Sequence, residues 1–309
     1  MLAYPKISIV TICLNSDQYL EAAMRSVLDQ EYPNLEYIVI DGGSSDDSIE
    51  IIKIYESRLA YWVSEPDEGP VHALQKGLAK ATGEIMAWLN ADDLHHHNSL
   101  FAVAEIFQQH QNVKWIMGTP TWLNRRSLWV QNVYYRDWKK IKYRYFNNEN
   151  MYEQWAWWSK HRYYCGNFIA IQQESTFWRR ELWEKAGGKL DSQFKLAYDM
   201  ELWCRFFRFE KLYTVPVLLA GFRFHFGNQL SIANHQAYIE ECQNVREREW
   251  GRLSVLQKGN STMRCFLGNI LKIGLYLHLP LAKMAYCWAM GVPRLSAEFK
   301  KKPLVYKQV

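Results

Sequence analysis

The sequence predicts an α/β fold with a mainly parallel, twisted sheet and helices on both faces, and three observations carry that prediction. Short apolar, β-branched runs alternate with segments of helical periodicity through the first 118 residues. The runs end in Asn, Asp, Gly or Ser, the residues that turn a chain where strand gives way to helix. Neither Gly-x-Gly-x-x-Gly nor Gly-x-x-x-x-Gly-Lys follows the first run, which argues against a nicotinamide-dependent dehydrogenase and a P-loop NTPase.

Taken in order, Ile7 to Cys13 reads as the first strand, followed by a helix over 19–30 with Leu20, Ala23, Met24, Val27 and Leu28 at helical spacing. Leu35 to Ile40 is the second strand. It stops at Asp41-Gly42-Gly43-Ser44-Ser45-Asp46-Asp47, where two glycines let a ligand approach the backbone and Asp47, with Glu50 three positions later, is placed to cap a helix over 48–57. Asp41 at the strand's carboxyl end could accept from a nucleobase N–H or a ribose hydroxyl. A third strand over 60–64, a helix over 71–81, a fourth strand over 84–89, a helix over 97–109 and a fifth strand over 113–117 continue the alternation.

The turn after the fourth strand gathers Asn90, Asp92 and Asp93. Ligands of open α/β sheets collect outside the carboxyl ends of the strands, and adjacent carboxylates repel unless a cation sits with them. Hard oxygen donors favour Mg2+ or Mn2+. The plainer reading is a turn whose aspartates only cap the next helix. His95, His96 and His97 follow directly; three consecutive side chains do not converge on one ion, so a solvated loop is expected there.

The second half is less regular. Between Trp122 and Tyr164, Trp129, Trp138, Trp155, Trp157 and Trp158 are interleaved with Arg and Lys, which suits an acceptor-binding insert, a packed lid, or stacking on single-stranded nucleic acid. Leu202, Phe206 and Phe209 mark a helix that opens near Asp199, where the helix dipole favours an ionised carboxylate. A strand over 213–219 and a helix over 237–250 follow. Residues 263–290 are apolar but interrupted by Asn269, Lys272, His278, Pro280 and Lys283, so a membrane-crossing helix is disfavoured; an interfacial tail and helices packed on the body both remain open.

Composition bounds the rest. The 309 residues are 49% hydrophobic and 22% charged, as in a globular protein. A net charge of +5 suits a phosphate-bearing substrate or an anionic membrane surface and is too small to imply nucleic acid, so no nucleic-acid partner is expected. Six cysteines without a Cys-x-x-Cys pair read as reduced, buried thiols, and the N-terminus lacks the pattern of a signal peptide; a cytoplasmic location is expected.

Four motifs in this order and spacing resemble the family 2 inverting glycosyltransferases of the GT-A fold: Ile9-Val10-Thr11 with Asn15; Val39-Ile40-Asp41-Gly42-Gly43-Ser44-x-Asp46; Glu65-Pro66-Asp67-x-Gly69; and Leu89-Asn90-Ala91-Asp92-Asp93. The resemblance implies a metal-dependent hexosyltransferase that takes a nucleotide-diphosphate sugar as donor and a glycan or lipid-linked acceptor, as in bacterial polysaccharide synthesis. It implies donor contacts from Thr11, Asn15, Asp41, Asp67 and Asn90, and Mg2+ or Mn2+ on Asp92 and Asp93. Asn90 stands where the family often has Asp, and His97 where it commonly has Pro. Tyr198-Asp199 stands where the family often has Glu-Asp, which leaves Asp199 as the expected catalytic base, with Glu201 second. Gly221-Phe222-Arg223-Phe224-His225 looks like the family's mobile loop, implying Arg223 on the diphosphate and His225 on the metal.

The expected organisation is a nucleotide-sugar-binding half over 1–118, an acceptor and catalytic-base half over 119–250, and a helical tail over 251–309 that either contacts the inner face of the membrane peripherally or packs on the body or a second subunit. A nucleotidyltransferase usually opens with a Gly-rich basic loop, which is lacking after the first strand. A carbohydrate-binding protein would release no nucleotide. A glycosidase would need neither nucleotide site nor metal turn.

Overall fold

Strands β1 (Ile7–Cys13), β2 (Leu35–Asp41), β3 (Tyr61–Ser64) and β4 (Ile85–Asn90) are separated by helices α1 (Asp17–Leu28), α2 (Ser48–Tyr55) and α3 (Pro70–Lys80), within one or two residues of the expected bounds. The computed structural model describes residues 4–119, 121–123, 129–130, 160–166, 171–215, 217–225, 229, 233–276 and 285. The aromatic and basic insert between Trp122 and Tyr164 lies largely outside them. β1 pairs in parallel with β2 and β4, and β2 with β3; Cys13 is level with Asp41, Asp41 with Ser64, and Ile12 with Asn90. Four strands therefore end along one edge, and the turns that follow share one side of the molecule.

α1 lays Leu20, Ala23, Met24, Val27 and Leu28 against the core, the stripe its periodicity predicts. Its start and that of α2 are tied together by Asp46, which accepts from the Asp17 and Ser48 backbone N–H groups at 3.0 Å each. This corrects the expectation for Asp47, which makes no side-chain cap hydrogen bond.

Further strands are β5 (Leu94–His95), β6 (Trp115–Met117), β7 (Thr121–Leu123), β8 (Trp129–Val130), β9 (Thr176–Arg179), β10 (Tyr213–Thr214) and β11 (Ala220–Arg223). The main sheet runs β10-β6-β9-β4-β1-β2-β3. β9 is antiparallel to both β4 and β6 and separates them, so the sheet is continued by strands from beyond residue 118. A small second sheet runs β5-β11-β7-β8. α4 (Ser99–Gln109) packs through Leu100, Val103, Ile106 and Phe107.

The second half of the core is aromatic. Trp203, on α7 (Tyr198–Phe209), stacks on Trp88 at 5.5 Å and on Trp115 at 5.6 Å, and meets Trp178 edge-on at 5.8 Å. Its ring is buried between α7 and β4, β6 and β9. Trp203→Ala is expected to lower the unfolding free energy by about 3–5 kcal/mol, as a large aromatic-to-alanine cavity does, and denaturant midpoints with an unchanged slope would measure it.

Helices α5 (Lys160–Tyr164), α6 (Arg180–Lys185), α8 (His235–Arg252) and α9 (Val255–Tyr276) complete the described structure. Cys165, just after α5, and Cys265, on α9, form a disulfide across 100 residues with their Cα atoms 6.8 Å apart. This corrects the expectation that every cysteine is reduced: α5 and α9 pack side by side, a proximity that sequence spacing does not reveal. Cys13, Cys204 and Cys242 are free and buried. Among the described residues no helix is long and apolar enough to cross a membrane.

Candidate active site at the carboxyl edge of the sheet

The turns after β1 and β2 are locked to each other. Asn15, at φ 49°, donates its backbone N–H to Ser44 Oγ at 2.8 Å and accepts from the Ser45 N–H at 2.9 Å through its side-chain oxygen. Asp41 is fully buried: one oxygen accepts from the Gly43 and Ser44 N–H groups and from Ser64 Oγ, the other from Ser44 Oγ. Burial alone would raise its pKa, but these donors hold it below the ordinary carboxylate value. Both oxygens are committed to the turn. Asp67 lies over Gly42, where an added Cβ would come within 2.7 Å of its Oδ2, and its Oδ1 accepts from the Gly69 N–H at 2.7 Å. Gly43, at φ 86°, needs the left-handed freedom of glycine. Thr11 is fully buried, its hydroxyl 2.9 Å from Tyr37 Oη within the packed sheet. Asn15, Asp67 and the two glycines therefore form the accessible lip, whereas Thr11 and Asp41 lie beneath it.

Beyond β4 the pairing of β5 with β11 brings the 220s against the aspartate turn. Asp93 is fully buried, with Oδ1 accepting from the Arg223 N–H at 2.9 Å. Burial, then the charges of Asp92 and Glu174, push its carboxyl well above the ordinary value. Asp92 keeps a quarter of its side chain exposed and sets Oδ2 3.0 Å from His225 Nε2. The buried Arg223 guanidinium donates from Nε to the Asp92 carbonyl and lies 4.9 Å from the Tyr19 ring centroid. Tyr19 also packs on the His225 ring at 4.9 Å. Asn90 donates to Gln173 Oε1 at 3.0 Å, and Gln173 in turn donates to the Trp88 carbonyl, which fastens the end of β4 to the turn before β9.

The histidines that follow depart from the expected solvated loop. His95 is buried on β5 and His96 half-buried; loss of hydration lowers their pKa values to about 3 and about 4, so both are neutral, and only His97 is exposed. Pairing of β5 with β11 roofs the loop, an effect invisible to local sequence.

Asp199 is the second residue of α7 and half-buried; it accepts from the Met200 N–H at 2.7 Å. Burial raises its pKa to about 6; the Met200 and Asp199 N–H groups pull it down and the Glu241 charge pushes it up. Glu241, on α8, caps α7 by accepting from the Leu196 and Ala197 N–H groups at 2.8 Å each. The Tyr198 phenol, next in chain, is shifted upward by burial and then by the charges of Asp199, Asp92 and Asp93. The Tyr198 ring lies beside Trp88 of β4, with 6.4 Å between centroids, so the start of α7 packs against the strand that carries the aspartate turn. Glu174, in the turn before β9, is 2% exposed, and burial with the charges of Asp92 and Asp199 raises it to about 8. Sequence reasoning missed Tyr19, Glu174 and Glu241, none of which has a local signature.

No cluster of three His, Cys, Asp or Glu groups suited to a metal occurs among the described residues. The Asp92–His225 pair nevertheless fits a divalent cation, because such ions are commonly held by one or two protein groups with phosphate and water oxygens completing the shell.

Residues 8–155 match the sequence profile of glycosyl transferase family 2. The chain carries a family 2 glycosyltransferase domain. The chain is 39% identical over 94 residues to an uncharacterised glycosyltransferase of Mycobacterium tuberculosis, covering 30% of this chain and 36% of that protein. It is 30% identical over 124 residues to poly-beta-1,6-N-acetyl-D-glucosamine synthase of Staphylococcus epidermidis, covering 40% of this chain and 30% of that one. The match thus spans about a third of these relatives' length. In overall fold the chain resembles S. aureus TarS in complex with UDP-GlcNAc, with TM-score 0.62, 16% identity, and 93% and 82% of the two chains covered. The mannosyltransferase PcManGT of Pyrobaculum calidifontis, in complex with GDP-Man and Mn2+, gives TM-score 0.52 at 16% identity over 94% and 87%. The family 2 domain therefore has the GT-A architecture expected from its four motifs.

Proposed function

We propose that the protein transfers a sugar from a nucleotide-diphosphate sugar to a hydroxyl acceptor with inversion at the anomeric carbon. The observation that supports this reading is the Asp92–His225 pair at the carboxyl edge of the sheet, within a family 2 domain. The donor lies along the lip formed by Asn15, Gly42, Gly43 and Asp67, with Thr11 and Asp41 shaping it from below and Asn90 holding the end of β4. Asp199, ionised above pH about 6, takes the proton of the acceptor hydroxyl. That oxygen attacks the anomeric carbon, and the bond from carbon to phosphate oxygen breaks with its electron pair on the nucleoside diphosphate. A bound Mg2+ or Mn2+, held by Asp92 and His225, would supply charge compensation for the departing diphosphate. Asp93 and Arg223 act through the turn: Asp93 anchors β11 by accepting the Arg223 N–H, and the Arg223 guanidinium fixes the Asp92 carbonyl.

The neighbours bound to UDP-GlcNAc and to GDP-Man with Mn2+ support a nucleotide-sugar donor and a divalent ion. The S. epidermidis relative, named as a poly-beta-1,6-N-acetyl-D-glucosamine synthase, supports a glycan as acceptor. A thermal-shift screen with UDP-, GDP- and dTDP-sugars, with and without Mn2+, tests the donor. A true donor at a hundredfold excess over its Kd should add about 2.7 kcal/mol of stability. Release of nucleoside diphosphate from that donor supports transfer; release of pyrophosphate from a nucleotide and a sugar phosphate would make the protein a nucleotidyltransferase instead.

A further inference from the structure

α9 is amphipathic in the reverse of the usual sense. Its buried positions are small or weakly polar, Ser261, Cys265 and Gly268, whereas Val255, Leu256, Met263, Phe266, Leu267 and Ile270 are exposed. At 100° per residue these six fall within an arc of about 120°, a continuous stripe on the side away from the body. The orientation is held in place. His161 Nδ1 lies 2.9 Å from Ser261 Oγ, and the disulfide of Cys165 ties down Cys265 one turn later. Rotating the helix to bury the stripe would break both anchors.

Charge says what covers the stripe. Between Glu249 and Glu298 the sequence has no Asp or Glu, yet it contains Arg252, Lys258, Arg264, Lys272, Lys283 and Arg294. A second copy packed stripe to stripe would bring two wholly cationic helices together. The chain's own last residues, with Lys300, Lys301, Lys302 and Lys307 against Glu298 alone, repel it likewise. An anionic lipid surface is complementary to both features, since apolar side chains enter the acyl boundary while the flanking cations meet the phosphate headgroups.

We propose that α9 is an interfacial helix that seats the protein on anionic bilayers, with Phe266 and its apolar neighbours embedded and the helix axis parallel to the membrane plane. The binding needs no catalytic step, so it stands or falls separately from the transfer reaction.

Flotation of the full chain with vesicles of phosphatidylcholine alone, or mixed with phosphatidylglycerol, tests this. The protein should float with the mixed vesicles and only weakly with the neutral ones, and added salt should weaken the attachment. Leu256→Ser combined with Phe266→Ser should reduce the partition coefficient about tenfold or more, with the thermal midpoint in the absence of lipid unchanged because both side chains are exposed. Equal flotation of the double variant overturns the proposal. So does a lipid-free dimer that the double variant dissociates, which would assign the stripe to a second copy. A fall in the lipid-free thermal midpoint would assign it to the chain's own carboxyl-terminal segment.

Discussion

Asp199→Asn should slow sugar transfer by about 10²- to 10⁴-fold, the usual contribution of a positioned general base, with donor affinity nearly unchanged. The amide keeps the shape and still accepts from the Met200 N–H, so the loss is chemical rather than structural. The pH profile separates the two cases. Burial raises the Asp199 carboxyl to about 6, so the wild-type rate should fall as the pH drops through about 6, and the variant should lack that inflection. Stability gives an independent check on folding. A carboxyl whose folded pKa is raised takes up a proton more readily in the native state, so its ionisation weakens the fold progressively as pH rises from the unfolded value through about 6. The variant should therefore be at least as stable as the wild type at pH 7.5, with the difference vanishing at pH 3.5. Full activity in the variant, or a retained inflection, would move the base elsewhere, with Glu174 the first place to look, because Glu201, the second candidate from sequence, is buried in ion pairs with Arg205 and Arg248.

The two neighbouring aspartates should part company on mutation. Asp92→Asn is expected to abolish the Mn2+ dependence of donor-induced stabilisation and to lower turnover by about 10²-fold or more, because the carboxylate that would hold a cation beside His225 is gone. Asp93→Ala should chiefly destabilise, by about 1–3 kcal/mol, since it leaves the Arg223 N–H without its buried acceptor. Donor titrations with and without Mn2+, run beside denaturant melts, read both effects. If Asp93→Ala loses the metal response at unchanged stability while Asp92→Asn keeps it, the two roles are reversed.

Much of the architecture of the first half was legible in the chain itself. β1, β2, β4 and the helices between them are recorded in short-range periodicity, and the carboxylates at their ends follow from the turn residues that close each strand. The helix opening at Tyr198-Asp199 was likewise visible, because Leu202 and Phe206 mark its buried face locally. The histidines after Asp93 misled for the complementary reason: their exposure depends on β11, more than a hundred residues away.

Which atoms face the crevice was decided only by packing. The three aspartates at the ends of β2 and β4 look alike in sequence, yet Asp41 is consumed by backbone and hydroxyl donors, Asp93 is buried with one oxygen on the Arg223 N–H, and Asp92 is left with an open edge. The insertion of β9 between β4 and β6 carries the turn that holds Glu174 against the end of β4, and the α5–α9 disulfide holds an apolar stripe outward. Periodicity and turn chemistry are properties of a few neighbouring residues and can be read along the chain. Burial, proton affinity and the direction a helix faces depend on what distant segments bring alongside, and only the folded arrangement specifies that.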